Sequence, residues 1–341
     1  MDLTGTVRRE DRRRTAPAAP RSWPAAMITL LALGLAALAL RWIGSARVPQ
    51  VENFFLVFGS LLIEAFPFVV LGAVVSALIE VFVPVRVFER LARLPGFLQM
   101  PVAGLGGFAF PVCECGSVPV ARRLVAKGLR PSAAVTFMLA APILNPVVLG
   151  ATAIAYQGRE HVWAMVLGRA TLGLLAAMAV GWVMGRRTRE QLLRERPGHD
   201  AGEVESGERG WSAFSGQMAS DLVMLGRYLV LGAAIAAALQ TFLPQSFLGG
   251  LAGTPVLGVL ALMGLAAVLS LCSESDAFVA ASFVQFGPAA QLSFLVFGPM
   301  IDAKLVVLYS GTFGKGFTRT AAIVAGAVTL VGALWLEVFI G

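Results

Sequence analysis

Two short polar runs carry the residues best suited to chemistry in this chain. Residues 113–117 read Cys-Glu-Cys-Gly-Ser, and residues 272–276 read Cys-Ser-Glu-Ser-Asp. Both runs interrupt long apolar segments, where carboxylates are costly to bury and are therefore candidates for function. Thiols are the ligands that soft centres prefer, whereas carboxylates carry protons or bind cations. Together the two runs predict a substrate site that combines sulfur with acid groups.

The composition places these runs in a membrane. Hydrophobic residues make up 57% of the 341 residues and charged residues only 14%, whereas an average soluble domain has about 25% charged residues. Apolar stretches of about 20 residues recur, and each is long enough to cross a bilayer. The sequence shows no GxxxxGK[ST] phosphate loop, no basic stripe interleaved with aromatic residues, and only two His. We therefore expect an all-α integral membrane protein with no cofactor, no metal and no nucleic-acid partner.

The predicted organisation is a tail, a first span and two similar halves. Residues 1–22 are polar and Arg-rich, which is typical of a disordered tail, and residues 26–43 form an N-terminal transmembrane helix. Residues 51–184 form a first repeat, which consists of a span, an interrupted segment and two further spans. A hydrophilic linker, 185–217, leads to a second repeat of the same kind at 218–341. The predicted spans are 54–82, 131–156 and 162–184 in the first repeat and 218–243, 289–311 and 319–340 in the second.

Three sequence matches relate the two halves. Each joins a segment of the first half to one about 160 residues later: 68–84 with 228–244, 113–121 with 272–280, and 141–146 with 298–303. Matches in the same order and at a nearly constant offset indicate the internal repeats on which many transporters are built.

The positive charges indicate how the repeats are oriented. If the interrupted segments 98–127 and 254–284 are re-entrant helical hairpins, 21 of the 27 Lys and Arg residues fall on one side and two fall in loops on the other. This asymmetry assigns the first side, with the N-terminus, to the cytoplasm. The fold class is then an inverted-repeat transporter with two re-entrant hairpins whose tips meet near mid-membrane. Non-helical backbone at that depth must be buried in protein or line a watery cavity, which predicts the substrate site there.

The first tip supplies thiols and a carboxylate at the start of a helix. Pro111 is expected to end the incoming helix, so the free N–H groups of the outgoing helix face the site and favour an anion or a thiolate. The predicted substrate-binding residues at this tip are Cys113, Glu114, Cys115, Gly116 and Ser117. The structural alternative is that the cysteines are ordinary small buried residues.

The second tip adds a third thiol and two more acids. Cys272, Ser273 and Ser275 are predicted to bind substrate, and Glu274 and Asp276 are candidates for proton coupling. Asp276 has a structural alternative, because aspartate is also a preferred N-cap residue.

Three further residues on the spans are candidates. Glu64 lies in mid-span and joins Glu114 as a candidate for proton coupling. Asn145 and Asp302 occupy equivalent positions in the two halves, each three residues after a proline that should unwind its helix, and both are predicted to bind substrate. Lys304 follows Asp302 closely, but residues two apart do not face each other on a regular helix.

Residues 110–149, together with 271–283 and 298–308, resemble the bacterial predicted-permease family that includes organoarsenical efflux permeases and YraQ-type proteins. The likeness covers about 50–340, and the Pro-x-Cys-x-Cys-Gly run is its most specific motif. It implies a multi-pass protein of the bacterial plasma membrane. The characterised branch exports trivalent organoarsenicals, whose soft arsenic prefers sulfur ligands. By that likeness Cys113, Cys115 and Cys272 are the thiol positions.

The predicted function is that of a secondary-active permease rather than an enzyme. It moves a small thiol-reactive or anionic solute, such as a trivalent organoarsenical, across the plasma membrane by coupling to protons. Two other classes stay open, a membrane-embedded thiol oxidoreductase that uses Cys113 and Cys115, and a channel whose filter is formed by the tips. The expected partners are the solute, the lipid bilayer and protons, and the sequence is compatible with a homo-oligomer.

Overall fold

The computed structural model describes residues 49–82, 95–109, 112–185, 211–242 and 255–340. The predicted tail at 1–22, the predicted first span at 26–43 and most of the linker at 185–217 lie outside these residues, as does Pro111. Throughout the described ranges, every regular element is helical and no strand occurs. The all-α prediction is therefore confirmed for this part of the chain.

Each half contributes six helices to the described residues. The first half has α1 Pro49–Phe82, α2 Gly96–Ala109, α3 Glu114–Ala126, α4 Pro131–Leu144, α5 Pro146–Ala155 and α6 Val162–Met184. The second half has α7 Trp211–Phe242, α8 Pro255–Leu269, α9 Asp276–Ser282, α10 Pro288–Phe297, α11 Ala303–Thr312 and α12 Lys315–Ile340. Helix α7 begins at Trp211, within the stretch that was predicted as the linker.

Five helical stretches in the described residues are long and apolar enough to cross a membrane. They are Gln50–Leu78, Pro131–Ala155, Val162–Met184, Phe214–Thr241 and Lys315–Glu337. These stretches match five of the predicted spans and make the chain a multi-pass membrane protein. The sixth, predicted at 289–311, is instead a pair of short helices, α10 and α11, separated by residues 298–302.

Helices are interrupted where proline and polar residues interrupt the apolar runs. Residues 112–113, which we call the first break, precede α3, and residues 270–275, the second break, separate α8 from α9. Asn145 separates α4 from α5, because Pro146 starts a new helix at its first position. Helix α9 has only seven residues. Five residues separate its end from Pro288, where the next helix begins.

Close backbone packing fixes the helices that carry the breaks. Helix α1 packs along α7 and against α3, and α7 packs against α11. A methyl group at Gly72 of α1 would overlap the backbone of Gly116, and one at Gly232 of α7 would lie 2.8 Å from the Cα atom of Lys304. Gly72 and Gly232 are therefore sites of close helix packing.

Candidate functional site

The first break ends in a helix cap made by a cysteine. Cys113 is the N-cap residue of α3, and its sulfur accepts a hydrogen bond from the backbone N–H of Gly116 at 3.3 Å. The hydroxyl of Ser117 donates to the backbone oxygen of Glu114 at 2.9 Å, inside the same helix. All five residues predicted at this tip are buried, so the start of α3 is enclosed by protein.

The second break begins with an unusual backbone conformation. Ser270 has a φ angle of +48°, which is uncommon for a residue with a side chain. Its hydroxyl oxygen accepts a hydrogen bond from the backbone N–H of Ala303 at 3.1 Å. This contact ties the second break to the start of α11.

The two breaks meet through a direct hydrogen bond. The hydroxyl of Ser273 donates to the Oε2 atom of Glu114 at 3.2 Å, and both side chains are buried. The two predicted tips, 159 residues apart in the chain, therefore share one site. We call the group formed by Glu114, Ser273, Asp302 and Lys304 the junction.

Lys304 supplies the positive charge of the junction. Its Nζ atom lies 3.6 Å from Oε1 of Glu114 and 3.7 Å from Oδ2 of Asp302, and its side chain is 2% exposed. Both separations are ion-pair distances, too long for good hydrogen bonds. Neither carboxylate oxygen has a hydrogen-bond partner among the described residues. The ammonium group is thus loosely shared between two buried acids.

A second buried cation, Arg169 of α6, is held much more firmly. Its guanidinium group donates to both carboxylate oxygens of Asp276, at 2.9 and 2.7 Å. It also donates to the hydroxyl of Thr152 at 2.9 Å and to the backbone oxygen of Ser273 at 3.2 Å. Such a forked, charge-assisted pair is strong and directional. Arg169 therefore anchors the second break to α5 and α6.

The arginine pair also decides between the two interpretations of Asp276. Ser275, not Asp276, occupies the N-cap position of α9. The hydroxyl of Ser275 donates to Glu64 Oε1 at 2.7 Å and so links the second break to α1. The structural alternative in which Asp276 caps the helix is wrong, because its carboxylate pairs with Arg169.

Glu274 differs from the other acids at the second break. Both of its carboxylate oxygens are buried, and neither makes a hydrogen bond to a described residue. A carboxylate in that position is costly unless it carries a proton or faces a cation. Among the described residues, no hydrogen bond holds the carboxylate of Glu274 in place.

All three cysteines are free thiols and are buried. Cys272, in the second half, and Cys115, in the first half, both lie near Glu114 and Lys304. Within the described segments, no group of three or more His, Cys, Asp or Glu side chains has an arrangement that would hold a metal ion.

Asn145 and Asp302 play the same local part in the two halves. Asn145 is the N-cap of α5 and accepts from the N–H of Val147 at 3.0 Å. Asp302 is the N-cap of α11 and accepts from the N–H of Leu305 at 2.6 Å. Asp302 ends the unwound stretch 298–302, whereas the helix at Asn145 is interrupted at that residue alone, with Pro142 still helical. Asp302 belongs to the junction, whereas the polar contact of Asn145 is with its own helix.

A further polar cluster joins α1, α3 and α7. Asp221 accepts hydrogen bonds from Ser76 at 2.8 Å and from Arg123 at 3.2 Å. The Arg123–Asp221 pair is partly buried, with side chains 19% and 7% exposed. None of the three residues of this cluster is among the site residues that the sequence predicts.

The two buried cations were also absent from the predicted site. In the sequence, Lys304 stands out only as a close neighbour of Asp302, and Arg169 is not among the predicted site residues. A signal for Arg169 was present, since a charged residue inside the apolar stretch 162–184 needs a buried partner. The sequence does not show which acid is that partner, because the pairing depends on how α6 packs against the second break.

Comparison with known proteins agrees with this architecture. Residues 50–338 match the model of a family described as predicted permease, ArsP_1. The chain belongs to this permease family. It is 37% identical to the UPF0718 protein YcgR of Bacillus subtilis over 284 residues, which cover 82% of this chain and 96% of that protein. No solved structure matches the chain significantly.

A second relative comes from Streptococcus mutans and is named as a two-component membrane permease complex subunit. The permease is 33% identical to it over 266 residues, which cover 76% of this chain and 87% of that protein. Family membership identifies the chain as a membrane transporter rather than an enzyme.

Proposed function

We propose that this permease is a proton-coupled exporter of a small thiol-reactive solute, with trivalent organoarsenicals as the substrate class. The observation that carries the proposal is the hydrogen bond between Ser273 and Glu114. It joins two helix breaks in one buried site, and thiols and acids from both halves lie near that site. Half-helices that meet in the interior are the usual binding architecture of secondary transporters.

The helix contacts support two repeats related by a two-fold axis. In the sequence match, α1 to α6 correspond in order to α7 to α12. Helix α1 packs on its counterpart α7, and α6 packs on its counterpart α12. Helix α3 packs on α11 as α5 packs on α9, and α2 packs on α4 as α8 packs on α10. A two-fold relation produces this set of contacts, and an axis in the membrane plane would make the repeats inverted.

The charges of the site favour a thiol-reactive solute over an anionic one. Glu114, Glu274 and Asp302 all face the region of the breaks, and Arg169 is already committed to Asp276. An anion would meet carboxylates there, with only Lys304 to attract it. A neutral trivalent arsenical avoids this repulsion and can take a sulfur ligand from Cys113, Cys115 or Cys272.

In the proposed cycle, protonation of an acid at the breaks accompanies movement of one half against the other. Glu64, Glu114 and Glu274 are the proton-coupling residues that we retain. Asp276 is the weakest candidate of the predicted set, because its two oxygens are both occupied by Arg169. Family membership favours this transport cycle over a thiol oxidoreductase.

Transport by the reconstituted protein tests the proposal. Proteoliposomes that contain the full chain should accumulate phenylarsonous acid, a trivalent probe, when a pH gradient is imposed. Cys115→Ser, Cys272→Ser and Glu274→Gln should each reduce the initial rate, while Arg319→Gln, at an exposed position on α12, serves as a control. If all three site variants transport at the wild-type rate, these residues do not form the substrate site.

Cysteine labelling tests the topology. With the native thiols replaced, single cysteines at Pro95 and Arg130 should react with a membrane-impermeant reagent from the same side, which we assign to the cytoplasm. Cysteines at Val256 and Val284 should share the opposite side. Labelling of either pair from different sides would exclude the corresponding re-entrant hairpin.

The naming of the Streptococcus relative as a complex subunit extends the proposal to a partner. We expect this permease to copurify with a second membrane subunit when it is isolated in mild detergent from its native host. Elution as a homo-oligomer without a second protein would contradict that part of the proposal.

A further inference from the structure

The backbone of Lys304 is held in place by its neighbours, but its ammonium group is not. Its Cα atom is held against α7 at Gly232, and Asp302 caps the helix two residues before it. Its ammonium group, by contrast, is shared by Glu114 and Asp302 at 3.6 and 3.7 Å. A lysine has a long flexible stem that ends in a compact charge. The ammonium can therefore change partner without movement of the helix.

The two acids that share Lys304 are not equivalent. Asp302 lies on the same chain segment, and its other oxygen is fixed by the N–H of Leu305 at 2.6 Å. Glu114 lies on α3, in the other half of the chain. Relative motion of the halves changes the distance from Lys304 to Glu114 and leaves the distance to Asp302 almost unchanged. The Lys304–Glu114 pair is therefore the one that must break when the halves move.

We propose that Lys304 is the movable internal counter-ion of the transport cycle, which neutralises Glu114 in the empty site and leaves it when Glu114 takes up a proton. This inference rests on the proposed function and assigns a coupling role to a residue outside the predicted site. The step is a proton transfer without redox change. A proton from the aqueous phase binds the Glu114 carboxylate, its attraction to the ammonium ends, and Lys304 remains with Asp302.

The surroundings of Glu114 support this assignment. The charged groups near it are Lys304 and Asp302 on α11 and Glu274 and Asp276 at the second break, with Arg169 on Asp276. The thiols of Cys113, Cys115 and Cys272, and Glu64 beside Ser275, complete the titratable set. Since Arg169 is committed to Asp276, Lys304 is the cation among these groups whose partner can change.

Lys304→Arg distinguishes two roles of the lysine. In one role its charge changes partner during transport, and in the other its charge only stabilises the fold. Arginine keeps the positive charge, but its planar fork can hold a carboxylate through two hydrogen bonds. We expect the variant to unfold at the same temperature as the wild type or higher, and to transport phenylarsonous acid about tenfold more slowly, as is usual when a residue that supports a site is replaced. Wild-type rates and gradient dependence in Lys304→Arg would overturn the proposal.

If an arginine side chain cannot be accommodated at position 304, a double variant tests the same proposal. Lys304→Gln alone leaves two buried acids, Glu114 and Asp302, without their cation and should fold poorly. Lys304→Gln with Glu114→Gln keeps the net charge of the junction and leaves only Asp302, whose other oxygen caps α11, so the double variant should fold better. We expect the double variant to exchange phenylarsonous acid across the membrane at a rate that no longer responds to a pH gradient. A double variant whose flux still follows the gradient would overturn the proposal.

A measurement without substrate keeps this inference distinct from the proposed function. Infrared difference spectra of the full chain in liposomes should show a protonated-carboxyl band that grows as the pH falls and is absent in Glu114→Gln. In Lys304→Arg the band should appear at lower pH, because the tighter pair resists protonation. If the wild type does not transport phenylarsonous acid, the proposed substrate fails, but a shifted band still supports Lys304. An unshifted band overturns its role.

Discussion

Ser273 and Glu114 form a hydrogen bond of 3.2 Å between two helix breaks that belong to different halves of the chain. The backbone oxygen of the same Ser273 accepts from Arg169 at 3.2 Å, and the same Glu114 faces Lys304 at 3.6 Å. One serine thus connects the rigid ion pair of the second break to the loosely held charge of the junction. This relationship explains how movement of either break would be transmitted to the other.

Ser273→Ala should weaken the contact between the two breaks. Loss of the hydroxyl leaves the Oε2 atom of Glu114 without its donor, which costs about 1–3 kcal/mol for a buried group. We expect a lower thermal unfolding temperature in detergent and slower transport of phenylarsonous acid. Ser282→Ala is the matched control, because that serine is exposed and its hydroxyl bonds within its own turn. If Ser273→Ala and Ser282→Ala unfold at the same temperature, the hydrogen bond between Ser273 and Glu114 does not contribute to stability.

Arg169→Met should be among the most damaging single substitutions. It leaves Asp276 buried without a counter-charge, and removal of one partner of a buried ion pair costs about 3–5 kcal/mol. We expect little folded protein after purification. Arg169→Met combined with Asp276→Leu should recover folded protein, since an apolar pair of similar volume replaces both charges. The yield of monodisperse protein and its unfolding temperature measure both effects.

Failure of the double variant to recover would give Arg169 a role beyond its pair with Asp276, for example through Thr152. Arg319→Met is the control for loss of an arginine from a long helix, because this residue lies exposed on α12. We expect it to unfold at the wild-type temperature.

The helix breaks could be predicted because their signals are local. Proline and polar residues stand inside apolar runs, and the structure interrupts its helices at Cys113, at Asn145 and within 270–275. The same local signals placed five of the membrane spans correctly. The predicted span at 289–311 is divided into two short helices by the unwound stretch 298–302, at the place where Pro299 and Asp302 predict unwinding.

The pairing of charges could not be predicted, because it depends on contacts between distant segments. Arg169 and Asp276 are 107 residues apart, and hydropathy alone does not show which acid faces which cation. For the same reason the sequence does not show that Asp276, a candidate for proton coupling, pairs with Arg169. Ser76 and Asp221, 145 residues apart, were missed in the same way.

Cys113 should tolerate serine better than alanine. Its sulfur caps α3 by accepting from the N–H of Gly116 at 3.3 Å, and a serine oxygen can accept the same hydrogen bond. Loss of an N-cap costs about 1 kcal/mol, so Cys113→Ala should unfold at a lower temperature than Cys113→Ser. Both variants lose the thiol and should transport phenylarsonous acid more slowly. Equal unfolding temperatures would contradict the capping role, whereas undiminished flux in both would exclude Cys113 as a ligand.

Gly72→Ala should separate α1 from the start of α3. The added methyl group would overlap the backbone of Gly116, and overpacking of this kind costs about 1–3 kcal/mol. We expect a lower unfolding temperature and reduced transport. Gly59→Ala, on the same helix, is the matched control, because a methyl group there meets nothing within 4 Å. A loss of stability in both variants would point to the helix itself rather than to its contact with Gly116.

Gly232→Ala should likewise disturb close helix packing in the second half, where Gly232 of α7 lies against the backbone of Lys304 on α11. A methyl group at Gly232 would lie 2.8 Å from the Cα atom of Lys304 and 3.2 Å from its carbonyl oxygen, so α11 must shift. The shift moves the lysine relative to Glu114, and we therefore expect transport to fall by more than the small loss of stability explains. Gly226→Ala on the same helix meets no atom within 4 Å and should transport at the wild-type rate. If Gly232→Ala lowers the unfolding temperature but leaves flux and its gradient dependence unchanged, the position of Lys304 is not critical for transport, and the contact serves packing alone.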